Sequence, residues 1–150
     1  MTSGQSAPRS AEARTVTITI VRVKEINNLD KDIPRKDQAD FFARIWIAGK
    51  ALRTPTMSKD DGWPNWRVSA PVGSNLVRIK ISVHDDDGGL EEKDDKVDVN
   101  PVIGKKDLDL VYNVKTGRIT GDATGRRGRN IWTRGGGSDS DKAQLWFRVN

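Results

Sequence analysis

Hydrophobic and polar residues alternate along most of this chain. Val16, Ile18 and Ile20 interleave with Thr17 and Thr19, and the apolar phase then passes to Val21 and Val23. One extra residue in a β-bulge produces such a shift. Phe41, Ala43, Ile45 and Ile47 alternate with Phe42, Arg44 and Trp46. Val77, Ile79, Ile81 and Val83 alternate with Arg78, Lys80, Ser82 and His84, the cleanest strand in the sequence. Leu145, Phe147 and Val149 form a last strand opposite Trp146 and Arg148. Weaker strands are expected at 51–58, 66–70, 97–103 and 107–112. No segment keeps a helical period of about 3.6 residues over several turns. Roughly seven or eight short strands between Gly, Pro and Asp clusters predict an all-β, antiparallel sandwich. Each sheet buries one face and wets the other.

The segments between the strands set the organisation. Residues 1–14 are small and polar without an apolar period, so a disordered tail is expected there. Residues 15–150 then form one domain. The stretch 113–142, rich in Gly, Arg and Ser, reads as a long loop before the closing strand. No run reaches the ~18 apolar residues of a membrane-spanning helix. Cysteine is absent, which removes disulfides, thiolate metal sites and thiol catalysis together. The single histidine, His84, excludes a multi-histidine metal site within one chain.

Charge changes the picture more than composition does. The chain carries a formal +5, yet residues 84–98 (HDDDGGLEEKDDKVD) hold eight acids against two lysines, a local −6. A second acidic loop, 29–40 (LDKDIPRKDQAD), lies between the first two strong strands. Clustered like charges destabilise a folded loop unless they are neutralised. A hard divalent cation such as calcium does this well, because it takes 6–8 oxygens at ~2.3–2.6 Å in irregular geometry. At a strand end, side chains two apart share a direction, so Asp85 and Asp87 can converge on one ion while Asp86 points elsewhere. The helix-flanked calcium loop does not fit, since its pattern would place Val83 where the first Asp belongs.

In these motifs the chain resembles a C2 domain. Leu29-Asp30 and Ala39-Asp40-Phe41-Phe42-Ala43 resemble that family's first loop and the opening of its next strand, with Phe41 in place of the usual Pro. Trp63-Pro64-Asn65-Trp66 resembles its N-P-x-W motif, and Asp85, Asp87 and Asp94 or Asp95 resemble its third loop. Asp98 stands where the family often has Gly, and 113–142 matches nothing in it. The resemblance implies an eight-stranded Greek-key sandwich of permuted topology with all three loops at one end. It implies calcium held by Asp30, Asp40, Asp85, Asp87 and Asp94 or Asp95, with Asp32 competing for the place of Asp30. It further implies docking on anionic phospholipid membranes, with Ile33, Trp63 and Leu90 as candidate membrane contacts. Arg44, Arg78 and Lys80 share polar strand faces and are candidates for an anion-binding patch, or else form a solvated sheet face.

Other readings stay open. A calcium-stabilised sandwich can bind a protein partner or carbohydrate, and Trp46, Trp63, Trp132 and Trp146 could serve as sugar platforms. The run Arg126-Arg127-Gly128-Arg129 could contact nucleic acid or membrane, but no stacked aromatics or reading helix accompany it. The sequence carries no nucleophile elbow, phosphate loop or water-activating metal motif, so an enzyme is not expected.

Overall fold

The computed structural model describes residues 14–26, 40–86, 95–137 and 141–150. The described residues contain thirteen strands. They run β1 (Arg14–Glu25), β2 (Asp40–Ile47), β3 (Lys50–Arg53), β4 (Met57–Ser58), β5 (Asp61–Gly62), β6 (Trp66–Val72) and β7 (Leu76–Asp85). The remainder are β8 (Asp95–Val97), β9 (Leu108–Asn113), β10 (Arg118–Gly121), β11 (Gly125–Arg126), β12 (Ile131–Arg134) and β13 (Ala143–Val149). A five-stranded sheet joins β12, β13, β1, β5 and β6, and an eight-stranded sheet follows the order β11-β10-β9-β7-β2-β3, with β4 also paired to β2 and β8 to β7. All strand pairs are antiparallel. No helix long and apolar enough to cross a membrane occurs among the described residues.

Alternation explains the core. Ile18, Ile20, Val23, Leu145 and Phe147 from one sheet meet Ile45, Ile47, Ile79, Ile81, Val83, Leu108 and Leu110 from the other, all buried. The shift of phase in β1 is a bulge, since the register with β13 slips between Ile20 and Arg22. Arg22 therefore turns outward opposite Trp146 while Val23 returns to the core.

Two expectations fail. The segment 113–142 is not one long loop, because it carries β10, β11 and the edge strand β12. Each is short and buries at most two residues, Ile119 in β10 and Ile131 and Thr133 in β12, too few to show a period. The expected strand at 97–103 ends at Val97, and the chain then leaves the sheet before β9. The expected tail at residues 1–14 gives up its last residue, since Arg14 opens β1, and residues 1–13 lie outside the described residues.

Candidate functional site

Both acidic loops leave from one end of the sandwich. Strand β2 begins there at Asp40, beside the end of its neighbour β7 at Asp85. The Asp40 amide donates to Asp85 Oδ1 at 2.9 Å, and the Asp86 amide donates to the Asp40 carbonyl at 2.8 Å. Asp85 continues the inward series of Ile81 and Val83, so it points toward the end of the sandwich. Asp86 takes the opposite face, with Oδ2 3.8 Å from the Arg53 guanidinium. Asp95, at the start of β8, pairs with Asp85 across the ladder. The first loop leaves β1 at Ile26, whose amide donates to the Lys142 carbonyl at 3.1 Å, so Lys142 lies at the same end.

Asp30, Asp32, Ile33, Asp87, Leu90 and Asp94 lie outside the described residues. Among the described residues, no three acidic or imidazole side chains gather closely enough to hold a metal. What the structure brings together is Asp40 and Asp85. His84 is turned to the outer face, where its Nε2 lies 2.7 Å from Ser82 Oγ. Among the described residues, this end therefore presents carboxylate oxygen from Asp40 and Asp85.

One acid of the second run is structural. Asp98 is 1% exposed. Its Oδ1 accepts the Asn100 amide at 3.0 Å and its Oδ2 accepts the Gly137 amide at 3.2 Å. Buried Asn100 extends this network, donating to the Asp107 carbonyl at 2.6 Å and to Asp122 Oδ2 at 3.0 Å. Burial pushes the Asp122 carboxyl up, but the Asp109 amide, Lys105 and Asn100 outweigh it, and its pKa falls below the ordinary value. This network lifts the turn after Asn100 away from the sheet. Ile103 at its tip is 80% exposed, beside exposed Val102. Nothing in the sequence marked these two residues, because a periodicity search absorbs them into a strand.

The candidate anion residues lie on the outer face of the eight-stranded sheet. Arg44 pairs with Arg53 of β3, and Lys80 pairs with Trp46 of β2, whose ring it overlies at 5.5 Å. Arg78 is exposed one residue pair further from the acidic end. Lys80 and Lys96 approach Asp107 Oδ2 at 3.5 and 3.0 Å, so the cations of this face are partly neutralised. Phe42 also points outward, yet it is 0% exposed. Its ring stacks on His84 at 5.1 Å, with the Arg53 guanidinium 3.9 Å from the ring centre.

The tryptophans divide between the sheets. Trp46 belongs to the eight-stranded one, whereas Trp63, Trp146 and Trp132 line the outer face of the five-stranded one. The Arg22 guanidinium lies 4.2 Å from the Trp63 ring and 4.5 Å from the Trp146 ring, while Asp61 grips it with two bonds of 2.9 and 2.8 Å. Trp132 meets Trp146 edge-on at 6.3 Å. Trp63 and Trp132 remain 59% and 56% exposed. Trp63 thus rests on the sheet face near the acidic end, held by Arg22.

No family model matches this sequence. No curated protein matches it either. Solved structures do. A C2 domain of a plant extended synaptotagmin 1 superposes with a TM-score of 0.55 at 13% identity, covering 90% of this chain and 91% of that one. A calcium-bound structure of two C2 domains of extended synaptotagmin 2 gives 0.56 at 13% identity, covering 93% of this chain and 45% of that one. A C2 domain-containing protein from a putative elicitor-responsive gene gives 0.52 at 12% identity over 100% of this chain and 93% of that one.

Proposed function

From the C2 fold that these superpositions show, we propose that the chain is a calcium-binding module that docks on anionic phospholipid membranes. The observation that carries this reading is the linked pair Asp40 and Asp85 at the end from which both acidic loops emerge. Asp40, Asp85, Asp87, Asp30 or Asp32, and Asp94 or Asp95 would hold the ions. Five carboxylates bring about −5, and bound calcium supplies positive charge together with coordination positions that phosphate oxygens can fill. Without that charge the acidic end repels an anionic surface; with it neutralised, the repulsion ends.

Other residues then add to the contact. Ile33 and Leu90 on the loops and exposed Ile103 and Val102 on the neighbouring turn insert apolar surface, with Trp63 at the interface. Arg44, Arg78 and Lys80 supply a second, calcium-independent attraction for anionic headgroups.

Sedimentation with phosphatidylcholine vesicles, with and without phosphatidylserine, tests this reading. Calcium should bring the protein down only with the anionic vesicles. Asp40→Asn and Asp85→Asn should abolish the response, whereas Asp86→Asn should leave most of it, because that carboxylate is directed at Arg53. Sedimentation indifferent to calcium would refute the proposal. The exposed pair Trp63 and Trp132 on one face favours carbohydrate binding as a second reading. Retention on polysaccharide with no lipid response would select it.

A further inference from the structure

At the pole opposite the acidic loops, where β1 begins and β9 ends, the two sheets part around a cavity of about 500 Å³. Its lining includes Arg14, Val16, Tyr112, Lys115, Arg127 and Asn150. Three of these are cations, and no Asp or Glu among the described residues lines the space.

Each cation is delivered by a different piece of the fold. Arg14 opens β1, and its Nη1 donates to Asn75 Oδ1 at 2.7 Å. Lys115 sits in the turn after β9, where the Asn113 side chain holds its amide at 3.0 Å. Arg127 lies where the chain crosses from one sheet to the other. Its amide donates to the Gly117 carbonyl at 2.7 Å, and the next amide, of Gly128, already bonds Val149 of the other sheet at 2.8 Å. Gly128 makes that crossing with φ +79°, a conformation that suits glycine. The Arg127 side chain folds back, with Nη2 donating to the Val114 carbonyl at 2.6 Å and the guanidinium 5.8 Å from the Tyr112 ring. Gly117 leaves it room, since an added Cβ would stand 3.1 Å from Arg127 Nη2.

Among the described residues, the side-chain hydrogen bonds of both arginines therefore go to neutral oxygens. Burial pushes the Tyr112 hydroxyl up, and Arg127 and Arg14 both oppose that rise, so the two guanidiniums act on one phenol. Positive groups held together on neutral partners leave a field that an incoming anion can satisfy. Guanidinium forks match phosphate oxygens in pairs, and an ammonium adds a compact point charge. A single carboxylate would neutralise one of three charges and leave most of the space unfilled.

We propose that this basal cavity binds an anion bearing clustered phosphates through Arg14, Lys115 and Arg127. The site is independent of calcium and of the acidic pole. The phosphates can come from a soluble polyphosphate or from a phosphorylated lipid headgroup, and the two sources separate experimentally.

Titration calorimetry of the full chain with inositol trisphosphate in EGTA is the test. Saturable binding is expected. Lys115→Gln, an exposed replacement that leaves the fold intact, should weaken it roughly tenfold, and Arg127→Gln by at least as much. Arg127→Lys should weaken it less, and Arg134→Gln, an equal loss of charge on the far sheet face, should change it by less than about twofold at physiological salt. Melting without ligand checks that each variant is folded. Vesicles containing phosphatidylinositol bisphosphate, also in EGTA, identify the source. Retention that Lys115→Gln lowers assigns the headgroup, and soluble binding without retention assigns a free polyphosphate. No binding, or equal weakening by Lys115→Gln and Arg134→Gln, would overturn the site. Because calcium is absent throughout, neither result depends on the acidic loops.

Discussion

Replacing Phe42 by Ala should destabilise the domain far more than a position on an outer sheet face normally does. The ring is completely buried, although it stands on the face of β2 opposite the core. His84 stacks on it at an interplanar angle of 12°, and the guanidiniums of Arg53 and Arg44 lie 3.9 and 5.7 Å from its centre. Truncating a core Phe to Ala costs about 3–5 kcal/mol, depending on how far the surroundings collapse. Here one wall consists of flexible arginines that can fold into the gap or return to water, so the lower end, about 3 kcal/mol, is expected. Arg53→Ala removes a cation over the ring and should cost only about 0.5–1 kcal/mol. In a domain of this size each kcal/mol moves the midpoint by roughly 2–4 °C, so Phe42→Ala should melt about 6–12 °C lower. Calorimetry or urea unfolding monitored by tryptophan fluorescence measures both variants. A loss below about 1 kcal/mol for Phe42→Ala, or equal losses for the two, would refute this account of the outer face.

A further prediction concerns the connection beside the acidic pole, and another the carboxyls of Asp122 and Asp61. A Cβ on Gly135 would collide with the Asp98 carbonyl and one on Gly136 with the Pro101 carbonyl, whereas Gly73 faces open space. Gly135→Ala and Gly136→Ala should each cost about 1–3 kcal/mol in urea, and Gly73→Ala less than about 0.5 kcal/mol. Equal effects at all three would contradict the close packing. The carboxyls of Asp122 and Asp61 are both held below the ordinary value of 3.8, Asp61 chiefly by its bonds to Arg22. A carboxyl with a lowered folded-state pKa stabilises above its unfolded value, and that contribution disappears as pH falls through the folded one. Urea midpoints should therefore drop below about pH 4, with a shallower drop in Asp122→Asn. An unchanged acid slope in that variant would remove Asp122 from the explanation.

The strands were legible wherever both faces carried a long period. β13 alternates in burial over its whole length and β7 from Leu76 to Ile81, and the bulge in β1 showed as a slip of phase. β10 and β12 were not, since strands of four residues with one or two inward side chains carry no period, and the neighbouring glycines read as loop. Gly135 and Gly136 in fact allow one backbone to lie against another, a long-range contact that local sequence does not encode. The same limit applies at the sites. Asp85 at the end of its strand could be read from alternation and Asp40 from the resemblance of its motif, but counting acids could not separate Asp98, a buried bridge between backbones, from the other acids of its run. In the sequence Arg127 belongs to a basic run that could contact nucleic acid or membrane, and only the crossing at Gly128 shows it turned toward Tyr112.

We propose that carboxylates from separate loops close around calcium at the end marked by Asp40 and Asp85. Isothermal titration of calcium into chelator-stripped protein decides this. Saturable binding heats that vanish in Asp85→Asn and persist in Asp86→Asn are predicted. Heats no larger than dilution in the unsubstituted protein would contradict it.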